Sequence, residues 1–222
     1  MITIIVVNYG LVAMFLEVKA DTKKLTKHLK RLQKKQIPFA TSNALNSTAF
    51  DVRTSLQRLL PRFIDRPTKG IVKSVQVTKS TKKTLTATVG FVGFGFRTNK
   101  WSTSPAKIMD KHITGGTRKP KRKAIAVPVG LKVNKYGNIP RNKITKLLSD
   151  KDKYFSGVPK GRTNAGIYER TKNGLKMLLA WEDRAHYKGG RFPFNRIVNN
   201  TVNKRYKKRF ETALNNALRT AR

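Results

Sequence analysis

From Phe194 to Leu218 apolar side chains recur every three or four residues, at Phe194, Val198, Val202, Tyr206, Phe210, Ala213, Leu214, Ala217 and Leu218. Lys204, Arg205, Lys207, Lys208 and Arg209 take the other faces. The spacing predicts a long helix with one apolar stripe, and a stripe of that length has to be covered by a second layer. The rest of the chain must supply that layer.

Helical spacing also appears near the other end. "DTKKLTKHLKRLQKKQ" sets Leu25, Leu29 and Leu32 on one face behind Asp21, a suitable N-cap. Pro38 is expected to interrupt this helix. The pattern then resumes through Ala40, Ala44, Leu45, Ala49, Val52, Leu56, Leu59 and Leu60 until Pro61. The small residues Ala40, Ala44 and Ala49 let another element come close. Two N-terminal helices are therefore predicted.

Alternating residues predict the sheet. "IVKSVQVTK" and "TLTATVGFVGF" flank Ser80 to Lys83 as a hairpin, its apolar set being Val75, Val77, Leu85, Ala87, Val89 and Phe91. The glycines of "GFVGFGF" do not fit a phosphate-binding loop, because no Lys-Ser/Thr pair follows, and they read as a strand end with bulges. Residues 97–123 read as a basic loop. Ala124 to Val129 form a strand in which Pro128 marks an edge or a bulge. "KYGN" at 135–138 is a turn, and Pro140 opens a short helix carrying Ile144, Leu147 and Leu148. "GIYERTK" and "LKMLLAW" form a hairpin about Asn173-Gly174, a dipeptide suited to a type I′ turn.

The first 18 residues predict two strands, Ile2 to Val7 and Leu11 to Val18, turning at Asn8-Tyr9-Gly10. Alternatively, residues 1–13 are an apolar extension upstream of a true start at Met14. The run has no cationic beginning, contains Asn8, Gly10 and Glu17, and falls short of the ~20 apolar residues of a spanning helix, so neither a signal peptide nor a membrane anchor is expected. The whole reads as an α+β fold: an antiparallel sheet built from hairpins, two N-terminal helices, a long C-terminal helix and a basic arm. One domain is expected over residues 14–222.

Charge bounds the function. Forty-nine Lys and Arg against 11 Asp and Glu leave +38, distributed along the entire chain of 222 residues. Such a chain repels itself unless surroundings of opposite sign neutralise part of the field, and nucleic acid is the default candidate. Two cation runs are the candidate contacts for nucleic acid or an acidic partner: Arg118, Lys119, Lys121, Arg122 and Lys123, then Lys204, Arg205, Lys207, Lys208 and Arg209. In the first run Gly115 and Gly116 would supply the turn and Ala124 to Val129 would anchor the arm. The opposing reading is a solvated face. Without a zinc finger, RNA-recognition signature or leucine zipper, any nucleic-acid contact is expected to be sequence-independent.

Chemistry is sparse. The chain has no Cys and three His, His28, His112 and His186, with no pair at metal-ligand spacing, so neither a metal nor a cofactor is expected. Glu182, Asp183 and His186 are the densest titratable cluster. Pairing of these acids with neighbouring cations is the expected reading, and a metal-dependent nuclease the opposing one.

Several blocks resemble a known group. "QIPFATSNALNSTAFDVR" (36–53), "HITGGTRKPK" (112–121), "YGNIPRNKI" (136–144), "GIYER" (166–170) and "FPFNRIVNNTVNKRYKKRFETALNNAL" (192–218) look like basic virion proteins of tailed double-stranded DNA bacteriophages. The layout is similar to minor tail or tail-completion proteins of the lambda Z type, from about Met14 onward. The resemblance implies a non-enzymatic structural subunit at the head-tail junction or upper tail. It implies a homo-oligomeric ring touching neck, tail-tube, tape-measure or portal-associated proteins, with phage DNA phosphates as a further contact. Location in the virion, after synthesis in the host cytoplasm, follows from the same likeness. No binding or catalytic residue is carried over by it. A free, sequence-independent nucleic-acid-binding protein is the alternative.

Overall fold

In a computed structural model, residues 2–9, 13–20, 33–92, 104–121 and 123–220 are described, with side chains from residue 36 onward. The fold is α+β. Where one domain is expected from the sequence, the chain divides into two compact units, Met1–Thr114 with Gly189–Arg222, and Gly115–Lys188. The second unit is thus an insertion in the first. Its first and last strands, β5 (Gly116–Arg118) and β10 (Ala185–Tyr187), pair antiparallel, a long-range closure that no local pattern announces.

The first unit is built on two long helices, α1 (Gln33–Phe63) and α5 (Phe194–Arg219). They run antiparallel, because Asp51 meets Arg209 while Phe63 meets Phe192 just before α5. The predicted break at Pro38 does not occur. Pro38 and Pro61 both lie inside α1. Each gives up one backbone hydrogen bond, to the carbonyls of Lys34 and Gln57, at a cost of about 3 kcal/mol in a helix interior. Ile37, Ala40, Ala44, Leu45, Leu56 and Leu60 are buried on either side of these prolines, and that packing keeps the helix continuous. The predicted helix from Asp21 lies, up to Leu32, outside the described residues.

An antiparallel sheet in the order β1-β2-β4-β3 belongs to this unit: β1 Ile2–Tyr9, β2 Ala13–Ala20, β3 Val75–Thr78 and β4 Thr86–Phe91. β1 and β2 form a hairpin, as expected, with Ile2 opposite Ala20. In the β3–β4 hairpin, Val75, Ala87, Val89 and Phe91 are buried as predicted, and Val77 and Leu85 pack at the core margin. The strand expected from Ile71 begins four residues late. Residues Lys69–Lys73 instead form a short helix, α2, whose Ile71 N–H donates to the Thr68 hydroxyl. Asn46 of α1 clamps the hairpin turn: its Oδ1 accepts from Ser80 N at 2.6 Å and its Nδ2 donates to Ser80 O at 3.1 Å.

Residues 97–123, expected as loop, contain helix α3 (Pro105–Ile113) and β5. Ala106 and Met109 of α3 are buried in the first unit's core. Phe192 and Gly190 donate backbone N–H groups to the carbonyls of His112 and Ile113 at the end of α3. The glycine-rich stretch continues β4 through Gly90, opposite Gln76, and beyond Val92 lies outside the described residues.

The second unit has a sheet in the order β6-β9-β8-β7, comprising β6 Ile125–Pro128, β7 Tyr154–Gly157, β8 Gly166–Thr171 and β9 Gly174–Glu182, plus helix α4 (Lys143–Ser149). Pro128 lies on the edge strand, where a missing N–H is tolerated. Asn134 Oδ1 accepts from the N–H groups of Tyr136 and Asn138, which makes the predicted turn. The β8–β9 hairpin forms where expected, but not with a type I′ turn. Of its loop residues only Gly174 has positive φ (110°), and it pairs with Thr171, so the glycine follows the turn instead of forming its centre.

Candidate polyanion-contact surfaces

The two cation runs fall in different units. Arg118 ends β5 and is exposed, as are Lys119, Lys121 and Lys123; Arg122 lies outside the described residues. Gly115 (φ 84°) and Gly116 (φ 104°) do hold the left-handed backbone the predicted turn requires. Arg118 and Lys121 line a hollow of about 520 Å3 beside β6, with Pro120, Ile125, Pro128 and Asn138.

On α5 the second run is divided by its own helix. Lys204, Arg205, Lys207 and Lys208 are exposed. Arg209 is not a contact residue of the same kind: its Nε and Nη2 donate to the two carboxylate oxygens of Asp51 at 2.8 and 2.9 Å, so it fastens α5 to α1. Helical geometry explains the split, since Lys204, Arg205, Lys207, Lys208 and Arg209 are spread around the axis and cannot share one face.

Lys204 and Arg205 instead join cations that the charge runs do not reveal. Together with Arg58 and Arg62 of α1 and Arg196 of α5 they wall a groove of about 350 Å3, with no acid among its described lining residues. All five are exposed, while Leu59 and Phe63 are half-buried and Ile197 is buried. The sequence pattern ends the helix at Pro61 and so leaves Arg62 off it; only the continuation of α1 to Phe63 sets Arg62 at i, i+4 from Arg58. Their partner Arg196 is 134 residues further along and meets them only through the antiparallel pairing of α1 with α5.

No family model, curated protein or solved structure matches the chain.

Of the two acids expected to pair with neighbouring cations, Asp183 does so, and the described ion pairs do not include Glu182. Asp183 accepts from Arg184 at 2.9 and 3.0 Å, and that guanidinium holds its carboxyl below the usual range. His186 exchanges a hydrogen bond with Thr117 across the β5–β10 ribbon, Nδ1 to Oγ1 at 2.9 Å. Among the described residues no group of three His, Asp or Glu is placed to hold a metal ion. Among them, too, no helix is long and apolar enough to cross a membrane.

Proposed function

We propose that this chain is a non-enzymatic structural protein of a tailed double-stranded DNA phage, a tail-completion or connector subunit of a homo-oligomeric ring at the head-tail junction or upper tail. One observation carries the reading: cations line the hollows of both units, Arg118 and Lys121 in one and Arg58, Arg62, Arg196, Lys204 and Arg205 in the other, and among the described residues no acid lines either. The described ion pairs engage Asp51, Asp65, Asp110, Glu169 and Asp183. Even with all 11 acids paired, +38 is left to be balanced from outside. A ring of such subunits requires acidic neighbours or DNA, and contact with phosphates alone suits a passage through which any sequence must move. The resemblance of five sequence blocks to phage tail-completion proteins supplies the location.

The test replaces Arg118, Lys119, Lys121, Arg122 and Lys123 by Ser in a phage carrying this chain. The fold is expected to survive, and electron micrographs of lysates to show heads without joined tails or heads that have lost DNA. A normal titre of intact particles, or absence of the chain from purified virions, would overturn the proposal. Absence from virions together with steeply salt-dependent binding of duplex DNA by the monomer would support the free nucleic-acid-binding alternative.

A further inference from the structure

The groove between α1 and α5 differs from a plain basic surface in having an apolar lining beneath its cations. Leu59, Phe63 and Ile197 line it together with Arg58 and Arg62 of α1 and Arg196, Lys204 and Arg205 of α5. We infer that this groove is a docking site for an acidic amphipathic helix of a partner protein. The inference rests on the assembly-component reading and names the chemistry of one neighbour.

Charge selects the occupant's sign. The acid of α1, Asp51, is already held by Arg209, and the only acid of α5, Glu211, is not among the lining residues. The five groove cations are exposed, and no carboxylate among the described residues lines the groove with them. Shape selects its form. Two antiparallel helices leave a furrow into which the ridge of a third helix fits, with anchors recurring at three and four residues. The apolar lining selects against nucleic acid. A phosphate backbone would meet the arginines but leave Leu59 and Phe63 wet. A helix with leucine-like anchors covers the lining, while its flanking carboxylates accept two parallel hydrogen bonds from each arginine. A second copy of this chain is a poor occupant, since α1 and α5 carry one acid each.

The experiment uses the full chain and two labelled peptides of identical composition. One sets leucines in a stripe along one helix face with glutamates flanking that stripe, and the other shuffles them. Fluorescence anisotropy is expected to show the segregated peptide binding about tenfold or more tightly than the shuffled one at low salt. The triple substitution Arg58→Ser, Arg62→Ser and Arg196→Ser should abolish that preference while circular dichroism stays unchanged. A charge-matched control, Lys69→Ser, Lys73→Ser and Lys83→Ser, should retain it. Equal binding of the two peptides, or a preference that survives the groove substitutions, would sink the inference. So would a triple variant whose affinity for a short duplex falls as much as its affinity for the peptide, which would make the groove a phosphate site. Because no virion is involved, such a failure leaves the particle test standing.

Discussion

The two units dispose of their cations differently. In the second, whose buried apolar residues are Leu147, Ile167, Tyr168, Leu178, Leu179 and Ala180, arginines serve the fold itself. Arg170 lies 4.8 Å from the centre of the Phe155 ring and donates to the carbonyls of Lys151 and Asp152. Arg162 lies over Tyr168 at 5.6 Å and donates to Leu175 O. Phe155 and Tyr168 stack on each other, so a small core is extended by guanidinium planes. The first unit covers rings in this way at Lys79 over Phe50 and Lys82 over Phe39, but it has a deep core of its own and lines a groove with five exposed cations. Counting positive charge therefore overstates the contact surface of the second unit and understates the organisation of the first.

Core deletion tests that contrast most severely. Leu56 is fully buried between α1 and its neighbours, and Leu56→Ala should cost the first unit about 2–5 kcal/mol through lost burial and the cavity left behind. Differential scanning calorimetry is expected to resolve two transitions, of which only the first unit's moves down. A single transition, or an equal fall in both, would show that the two units unfold as one and that the comparison has no thermodynamic content.

A smaller effect is expected in the second unit, where a pair of glycines facing each other across β7 and β8 provides its own control. Gly157 and Gly166 are register partners. A Cβ on Gly166 would stand 2.2 Å from the carbonyl oxygen of Leu179, whereas a Cβ on Gly157 meets nothing within 4 Å. Gly166→Ala should therefore destabilise by about 1–3 kcal/mol, as overpacking against backbone does. Gly157→Ala should stay within about 0.5 kcal/mol of wild type. Urea melts of both variants, followed through the fluorescence of Trp181, would break this account if the two behaved alike.

What could be read from the residues follows from the range of the forces involved. The stripe of α5 up to Ala217, the alternation of β4 and the turn at Asn134 to Asn138 arise from spacing within one segment and appear where expected, whereas β3 starts at Val75 and Leu218 is exposed. Pro38 was misleading because a local cost was outweighed by burial of Ile37 and Ala40 against distant elements. The division into two units and the groove were out of reach for a related reason. β5 meets β10, and Arg196 meets Arg58, only after the chain has returned on itself. Runs of adjacent cations drew attention to Arg209, which the fold spends on Asp51, and away from Arg62, which the fold presents in the groove.

The smallest expected effect concerns pH and the end of α3. His112 is half-buried in the first unit, and its pKa is lowered below the ordinary value of about 6.5, first by burial and then by the nearby Arg191 guanidinium. The folded unit therefore keeps His112 neutral at a pH where the unfolded chain protonates it. Above about pH 6.5 both states are neutral and the group contributes nothing to the pH dependence. As pH falls below that value the unfolded state binds the extra proton, and stability is lost progressively until the folded pKa is reached. Protonation of carboxylates lowers stability over an overlapping range, so the measurement has to be a difference. The first unit's Tm should fall more steeply from about pH 7 to about pH 5 in the wild type than in His112→Gln, with the second unit's transition as internal reference. Parallel curves for the two proteins would mean that His112 reaches solvent in the folded state, and that the first unit's end at α3 is looser than its core.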